Sequence, residues 1–343
     1  MILDCVSVYP IEVVLAILVL VCISKLVVGR ENYFRNTKLV YCCIPFVLCI
    51  MLSALKTIEL SLTVKEIVRW LELFLIYYLT INLVKDGKES RIILYSLLLT
   101  LAIAFTCGII SDYNDVRSTF LGYRAAFIFG NPNPFAGYVD LVIPVFFGMT
   151  MVSVLLWERI MLGAFTILSV IVLFLTFSRA AWLYLLLTII LISFLAKVKK
   201  KGLSLFVILI ITFAASLLSS NIKGNLMNRF RLKPTLISLD KRVSSYSVGF
   251  DMVNDNLILG IGIGNYPLLI KESTKITTII QSNLHNMYLQ VFVETGIIGL
   301  SAFIFWLVCV TKHLMSSLRA LGNSKHYWLF VGLMGGVIVY LFN

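Results

Sequence analysis

Runs of about twenty mainly apolar residues recur along almost the whole chain, parted by short loops that carry most of its lysine and arginine. A bilayer core about 30 Å thick needs an α-helix of roughly that length. The runs fall near 11–28, 39–57, 66–84, 92–110, 134–156, 160–177, 180–196, 203–219, 287–310 and 327–343. They predict about ten spans. They are solidly apolar rather than alternating, so helices are expected and barrel strands are not. Pro134 and Pro144 interrupt the fifth run, and the sixth and seventh meet at a very short turn. Residues 1–10 lack the basic stretch of a cleaved signal peptide.

The composition agrees. The chain is 60% hydrophobic and 13% charged, about half the charge of a soluble domain. A net charge of +12 does not point to nucleic acid, because the cations sit in short loops, where they set membrane orientation. With the N-terminus outside, fourteen Lys and Arg fall in the inner loops, among them Lys197, Lys199, Lys200 and Lys201. Five fall in the short outer ones: Lys56, Lys65, Arg117, Arg124 and Arg179. The seven cysteines lie mostly inside apolar runs and form no CxxC pair. They read as small buried hydrophobes rather than metal ligands or disulfides.

The expected architecture is an all-α polytopic bundle in three parts: helices over 1–219, a polar extracytoplasmic loop over 220–286, and C-terminal helices over 287–343. The loop is net basic. It should hold an amphipathic helix near 240–256, then the turn Gly260-Ile261-Gly262-Ile263-Gly264-Asn265. At this size it cannot build an independent core and should pack on the bundle.

No Walker A signature, Asp-x-Asp pair or large inner domain is present. The run Gly260–Gly264 is a turn rather than a dinucleotide fingerprint. No cofactor and no metal site are expected. Arg179, in Ser178-Arg179-Ala180-Ala181-Trp182, is a cation at the outer mouth. It either snorkels to the interface or binds an anion. A guanidinium suits a diphosphate, since its planar fork donates two bonds and never deprotonates. Arg242, Arg117 and Arg124 read singly as solvated loop charges. Of three histidines only His285 lies outside, either as polar trim at the interface or as a general base. Glu294, a carboxylate inside the ninth run, should pair with another helix, since a straight helix would turn it away from His285. Arg69 and Glu72, three apart, should satisfy each other. Asp140 has no evident partner.

His285-Asn286 followed by Val293-Glu294-Thr295-Gly296-Ile297-Ile298-Gly299 resembles a signature of the O-antigen ligase and O-antigen polymerase superfamily. Three other pieces agree in order. Asn131-Pro132-Asn133-Pro134-Phe135-Ala136-Gly137-Tyr138 resembles its Asn-rich break before a span. Ser178-Arg179 with Trp182 resembles its Ser-Arg segment. Arg242, Phe250-Asp251-Met252 and the stretch Asn256–Asn265 resemble its loop helix and glycine turn. The resemblance covers roughly 125–300. The chain differs in carrying Ser245 and Tyr246 where a Trp often follows the loop arginine, and Leu257 where a proline introduces the turn.

The resemblance implies a metal-independent glycosyltransferase of a bacterial inner membrane. The donor would be a glycan on undecaprenyl diphosphate, the acceptor a hydroxyl of a glycan, lipid or protein. His285 would be the base; Arg179 and Arg242 would bind the diphosphate, with Arg124, Asn133 and Glu294 in support. A secondary transporter or lipid-carrier flippase is the rival reading, with Arg69, Glu72, Asp140 and Glu294 lining a pathway.

Overall fold

The structure is a computed structural model. It describes residues 37–83, 91–103 apart from 94, 97 and 101, 131–195, 232–273, 284, 286–322, 324 and 326–342. The runs expected at 11–28 and 203–219 lie outside the described residues, and so do His285, Arg117 and Arg124. Among the described residues the regular structure is all helical. The helices are α1 (Lys38–Ser53), α2 (Leu60–Leu83), α3 (Pro132–Val152), α4 (Leu156–Leu175), α5 (Arg179–Leu195), α6 (Leu232–Asn254), α7 (Tyr266–Ser273), α8 (Met287–Leu321) and α9 (Tyr327–Phe342). Four stretches among these residues are long and apolar enough to cross a membrane: Lys38–Lys56, Pro132–Val152, Leu156–Leu175 and Met287–Leu321. Tyr327–Phe342 is apolar but shorter. The chain forms two compact units. One holds residues up to Leu94 with Leu239–Val310, the other Tyr95–Ser238 with Thr311–Asn343.

In the first unit, α1 ends in a 3-10 turn, Ala54–Lys56, and α2 starts at Leu60, earlier than the apolar run suggests. Phe46, fully buried, is the hub of an aromatic cluster. Its ring centroid lies 5.1 Å from Trp70, edge-on, and 5.0 Å from Phe303. Such offset and edge contacts add to the stabilisation from burial. Arg69 bonds Glu66 at 2.8 Å, which corrects the expected pairing with Glu72. The loop helix α6 is longer than expected and begins at Leu232.

Within α8 the backbone leaves helical geometry at Gly296, with φ 69° and ψ −169°. The Tyr288 and Phe303 rings are 6.3 Å apart, whereas a straight helix would separate them by about 22 Å at 1.5 Å per residue. The chain therefore turns back on itself at Gly296, and the run expected as one span over 287–310 is two helical arms.

The second unit is built on α3. Its first break is a helix start. Asn131 caps it by accepting the Asn133 N–H at 3.0 Å, and Pro132 and Pro134 fall in the first turn, where no intrahelical donor is needed. Pro144 is interior. Lacking an N–H, it leaves the Asp140 carbonyl without its helical donor. Helix α9 packs against α3 through glycines: a Cβ at Gly148 would lie 2.5 Å from the Trp328 oxygen. Small residues let membrane helices approach this closely. The Pro144 Cβ and the Thr188 Cγ2 both stand beside Gly335, and Phe147 and Ile192 share one buried cluster. Helices α3 and α5 thus run parallel, with their N-termini at the same end.

Candidate functional site

The glycine turn docks onto the bend in α8. Ile261 N–H donates to the Val293 carbonyl at 3.0 Å and Gly262 N–H to the Glu294 carbonyl at 3.1 Å. In return, Ile297 N–H donates to the Leu257 carbonyl at 2.9 Å. The break at Gly296 frees backbone groups, and the loop takes them up, as buried backbone requires. Contact at this range excludes side chains. Gly260 has φ 71°, and a Cβ there would lie 2.5 Å from the Glu294 carbonyl carbon. Gly296 has φ 69°, and a Cβ there would strike the Ile258 carbonyl. Both glycines are needed for backbone angle and for space. Leu257 serves through its carbonyl.

Asn265 anchors the other side of the turn. Its Oδ1 accepts the Glu59 N–H at 3.0 Å. Its Nδ2 lies 3.0 Å from Thr57 Oγ1, 2.8 Å from Thr63 Oγ1 and 3.2 Å from the carbonyls of Gly262 and Ile263. Thr63 Oγ1 also lies 2.9 Å from the Ile263 carbonyl. The turn is therefore fixed between α8 and the α1–α2 connection. Asn265 was read only as part of the turn; an amide at its end, capable of both donating and accepting, was the available signal.

Glu294 is buried. Its carboxylate accepts from Gln290 Nε2, one turn earlier in its own arm. The backbone amides of Gly264 and Tyr266 also approach it, and Glu66 lies nearby. The expectation of a partner on another helix is corrected: Glu294 is held by its own arm and by the loop. Gln290 was missed by sequence reasoning, although its spacing of four from Glu294 places both on one helix face.

The residues on both sides of His285 are fixed. Leu284 is buried, and its N–H donates to Gln290 Oε1 at 3.2 Å. Asn286 Oδ1 accepts the Leu289 N–H at 3.1 Å and caps α8. Helix α6 packs here as well, for a Cβ at Gly249 would lie 3.1 Å from Leu284 and 3.4 Å from Val293. Arg242 is exposed on α6, seven residues before Gly249, or about 10 Å along the helix. The backbone carbonyl of buried Ser245 accepts the Tyr266 hydroxyl at 3.4 Å. Burial pushes that hydroxyl up to about 12. The first unit thus brings together the helix of Arg242, the residues beside His285, and Glu294.

Arg179 belongs to the second unit. It opens α5 after the turn Thr176-Phe177-Ser178, where Phe177 takes φ 49°. Trp182 closes this turn. Its Nε1 lies 3.4 Å from the Leu173 carbonyl, and its ring lies tilted against Phe174, with centroids 5.6 Å apart. A cation at a helix N-terminus adds to the positive end of the dipole, so the local field favours an anion. Asn133 stands exposed in the first turn of α3, at the same end of this unit. No group of three or more potential metal ligands occurs among the described residues.

Comparison with curated proteins gives no match. The apolar helices and the family match make the chain a multi-pass membrane protein. Residues 164–304 match the model of a family described as O-antigen ligase, a segment that contains Arg179, Arg242, the glycine turn, His285 and Glu294. Over that segment the chain is similar to the O-antigen ligase family.

Proposed function

We propose that the chain transfers a glycan from undecaprenyl diphosphate to an acceptor hydroxyl, without a metal, at the extracytoplasmic face of a bacterial inner membrane. It is a ligase or a polymerase according to its acceptor. The observation that carries the reading is the fixing of Leu284 and Asn286, the residues before and after the histidine of the outer loop, beside a helix that bears an exposed arginine. In the reaction the acceptor oxygen attacks the anomeric carbon opposite the diphosphate and inverts it. His285 takes the hydroxyl proton as the new bond forms. The bond to the diphosphate oxygen breaks, and Arg179 and Arg242 stabilise the charge that collects there. Arg124 and Asn133 support the donor, and Glu294 supports the loop.

The test is transfer in detergent from an undecaprenyl-diphosphate glycan to a crude acceptor fraction, with EDTA and without nucleotide. Native protein should transfer, and His285→Ala should not. Arg179→Lys keeps the charge but loses the fork, and should lower turnover by about 100-fold. Transfer that survives in His285→Ala removes the histidine as base. No transfer with any lipid-linked donor, from folded protein, favours the transporter reading, with Arg69, Glu72, Asp140 and Glu294 lining a pathway.

A further inference from the structure

We propose that Gln290 is a positioning residue for the transfer reaction, its side-chain amide tying the backbone just before His285 to Glu294 and through it to the glycine turn. The inference rests on the reading of His285 as the base.

The two ends of the Gln290 amide do opposite work. Oε1 accepts the Leu284 N–H at 3.2 Å, and Nε2 donates to Glu294 Oε1. Leu284 is 1% exposed and Glu294 is 6% exposed, so water has little access to replace either bond, and an unmade one is costly. The residue type is tightly specified. A carboxylate at 290 would still accept from Leu284 but would face a second anion at 294. An aliphatic chain would leave the Leu284 N–H and one Glu294 oxygen unpaired. Asparagine is one methylene shorter, too short to meet both partners from the same backbone.

The link is also directional. The Glu294 carbonyl accepts the Gly262 N–H at 3.1 Å, and Gly262 lies in the turn that Asn265 fixes to the α1–α2 connection. Gln290 passes that fixed position back along its own arm to residue 284, one peptide from His285. On the far side, Asn286 is set by its cap bond to Leu289. Without the amide, Leu284 loses the bond that fixes it next to His285 in the chain, while Arg179 and Arg242 are untouched. A displacement of about 1 Å at a reacting group costs on the order of 100-fold in rate.

The experiment measures kcat and donor KM for native protein, Gln290→Leu, Gln290→Glu, the exchanged pair Gln290→Glu with Glu294→Gln, and His285→Ala, each checked for a monodisperse peak and thermal midpoint. The expected result is a fall in kcat of roughly 10- to 100-fold for both single Gln290 variants with donor KM unchanged. The exchanged pair should recover most of the rate, because a carboxylate at 290 accepts from Leu284 and from the new amide at 294. A native kcat in Gln290→Leu overturns the inference, as does a loss seen only in donor KM, or an exchanged pair that folds and stays slow. If Gln290→Leu does not fold, the exchanged pair decides alone. If His285→Ala keeps the native rate, the reading of the base fails first; if it is dead while Gln290→Leu is native, only the positioning role fails.

Discussion

The rings of Tyr288 and Phe303 stand 6.3 Å apart within α8, although fifteen residues part them in the chain. The helix therefore folds back at Gly296, and the arm from Met287 to Thr295 does not share an axis with the rest. The glycine turn docks at this bend, and the first arm leads to the histidine.

Gly260→Ala and Gly296→Ala should each undock the turn. Both positions need positive φ, and a methyl at either meets backbone rather than a mobile side chain. Strain and clash together should cost more than about 2 kcal/mol. Thermal unfolding in detergent should show a lower midpoint for each, and transfer should fall with it. A midpoint equal to the native one would show that the turn is not held at the bend.

Asn265→Asp should be worse than Asn265→Ala. Alanine deletes the amide and leaves Thr57, Thr63 and the Glu59 N–H to find other partners, a loss of about 2–3 kcal/mol. Aspartate instead directs an oxygen at the carbonyls of Gly262 and Ile263, where Nδ2 now donates, so repulsion adds to the lost bonds. Midpoints in the order native, Ala, Asp are expected. The reverse order of the two variants would refute the amide assignment.

Asp140→Leu should raise stability. Asp140 is fully buried, and among the described residues neither carboxylate oxygen has a hydrogen-bond partner. Removing an unsatisfied buried polar group should return about 1–3 kcal/mol. A higher midpoint is expected in detergent; a lower one would mean that the carboxylate holds something essential to the fold.

Stability should also fall at high pH through Tyr266. Burial raises its hydroxyl from the usual 10 to about 12, so the fold favours the neutral phenol. Its contribution is complete below about pH 10 and is lost as pH rises through about 12. Tyr266→Phe should flatten the part of the stability curve between these values. An unchanged slope would show that other groups carry it.

The membrane helices were legible because apolar runs and spans are the same thing physically. Runs at 39–57, 160–177 and 327–343 became helices with starts within a few residues of expectation. Helix α2 begins earlier than its run because Lys65 and Glu66 end the apolar pattern without ending the helix. Spacing alone left Arg69 with acidic neighbours three residues before and after it, and three-dimensional geometry chose Glu66. The bend at Gly296 could not be read, since a glycine in an apolar run is usually tolerated within a helix; what meets it here is a loop whose Gly260 stands 36 residues earlier in the chain. For the same reason the partner of Glu294 was sought on another helix. Of the expected site residues, Arg179, Arg242, Asn133 and Glu294 lie among the described residues, and His285 and Arg124 do not.

The hydrogen bonds of Asn265 reach across 202 residues to Thr63 and 208 to Thr57, while the same turn grips a bend formed later in the chain. During synthesis the turn has its early partner waiting and its late partner absent. A nascent chain that has not reached Val293 lacks all three of the turn's backbone partners in α8, however many helices it has already inserted. The turn's set of bonds is thus complete only once Ile297, whose N–H donates to the Leu257 carbonyl, has been made.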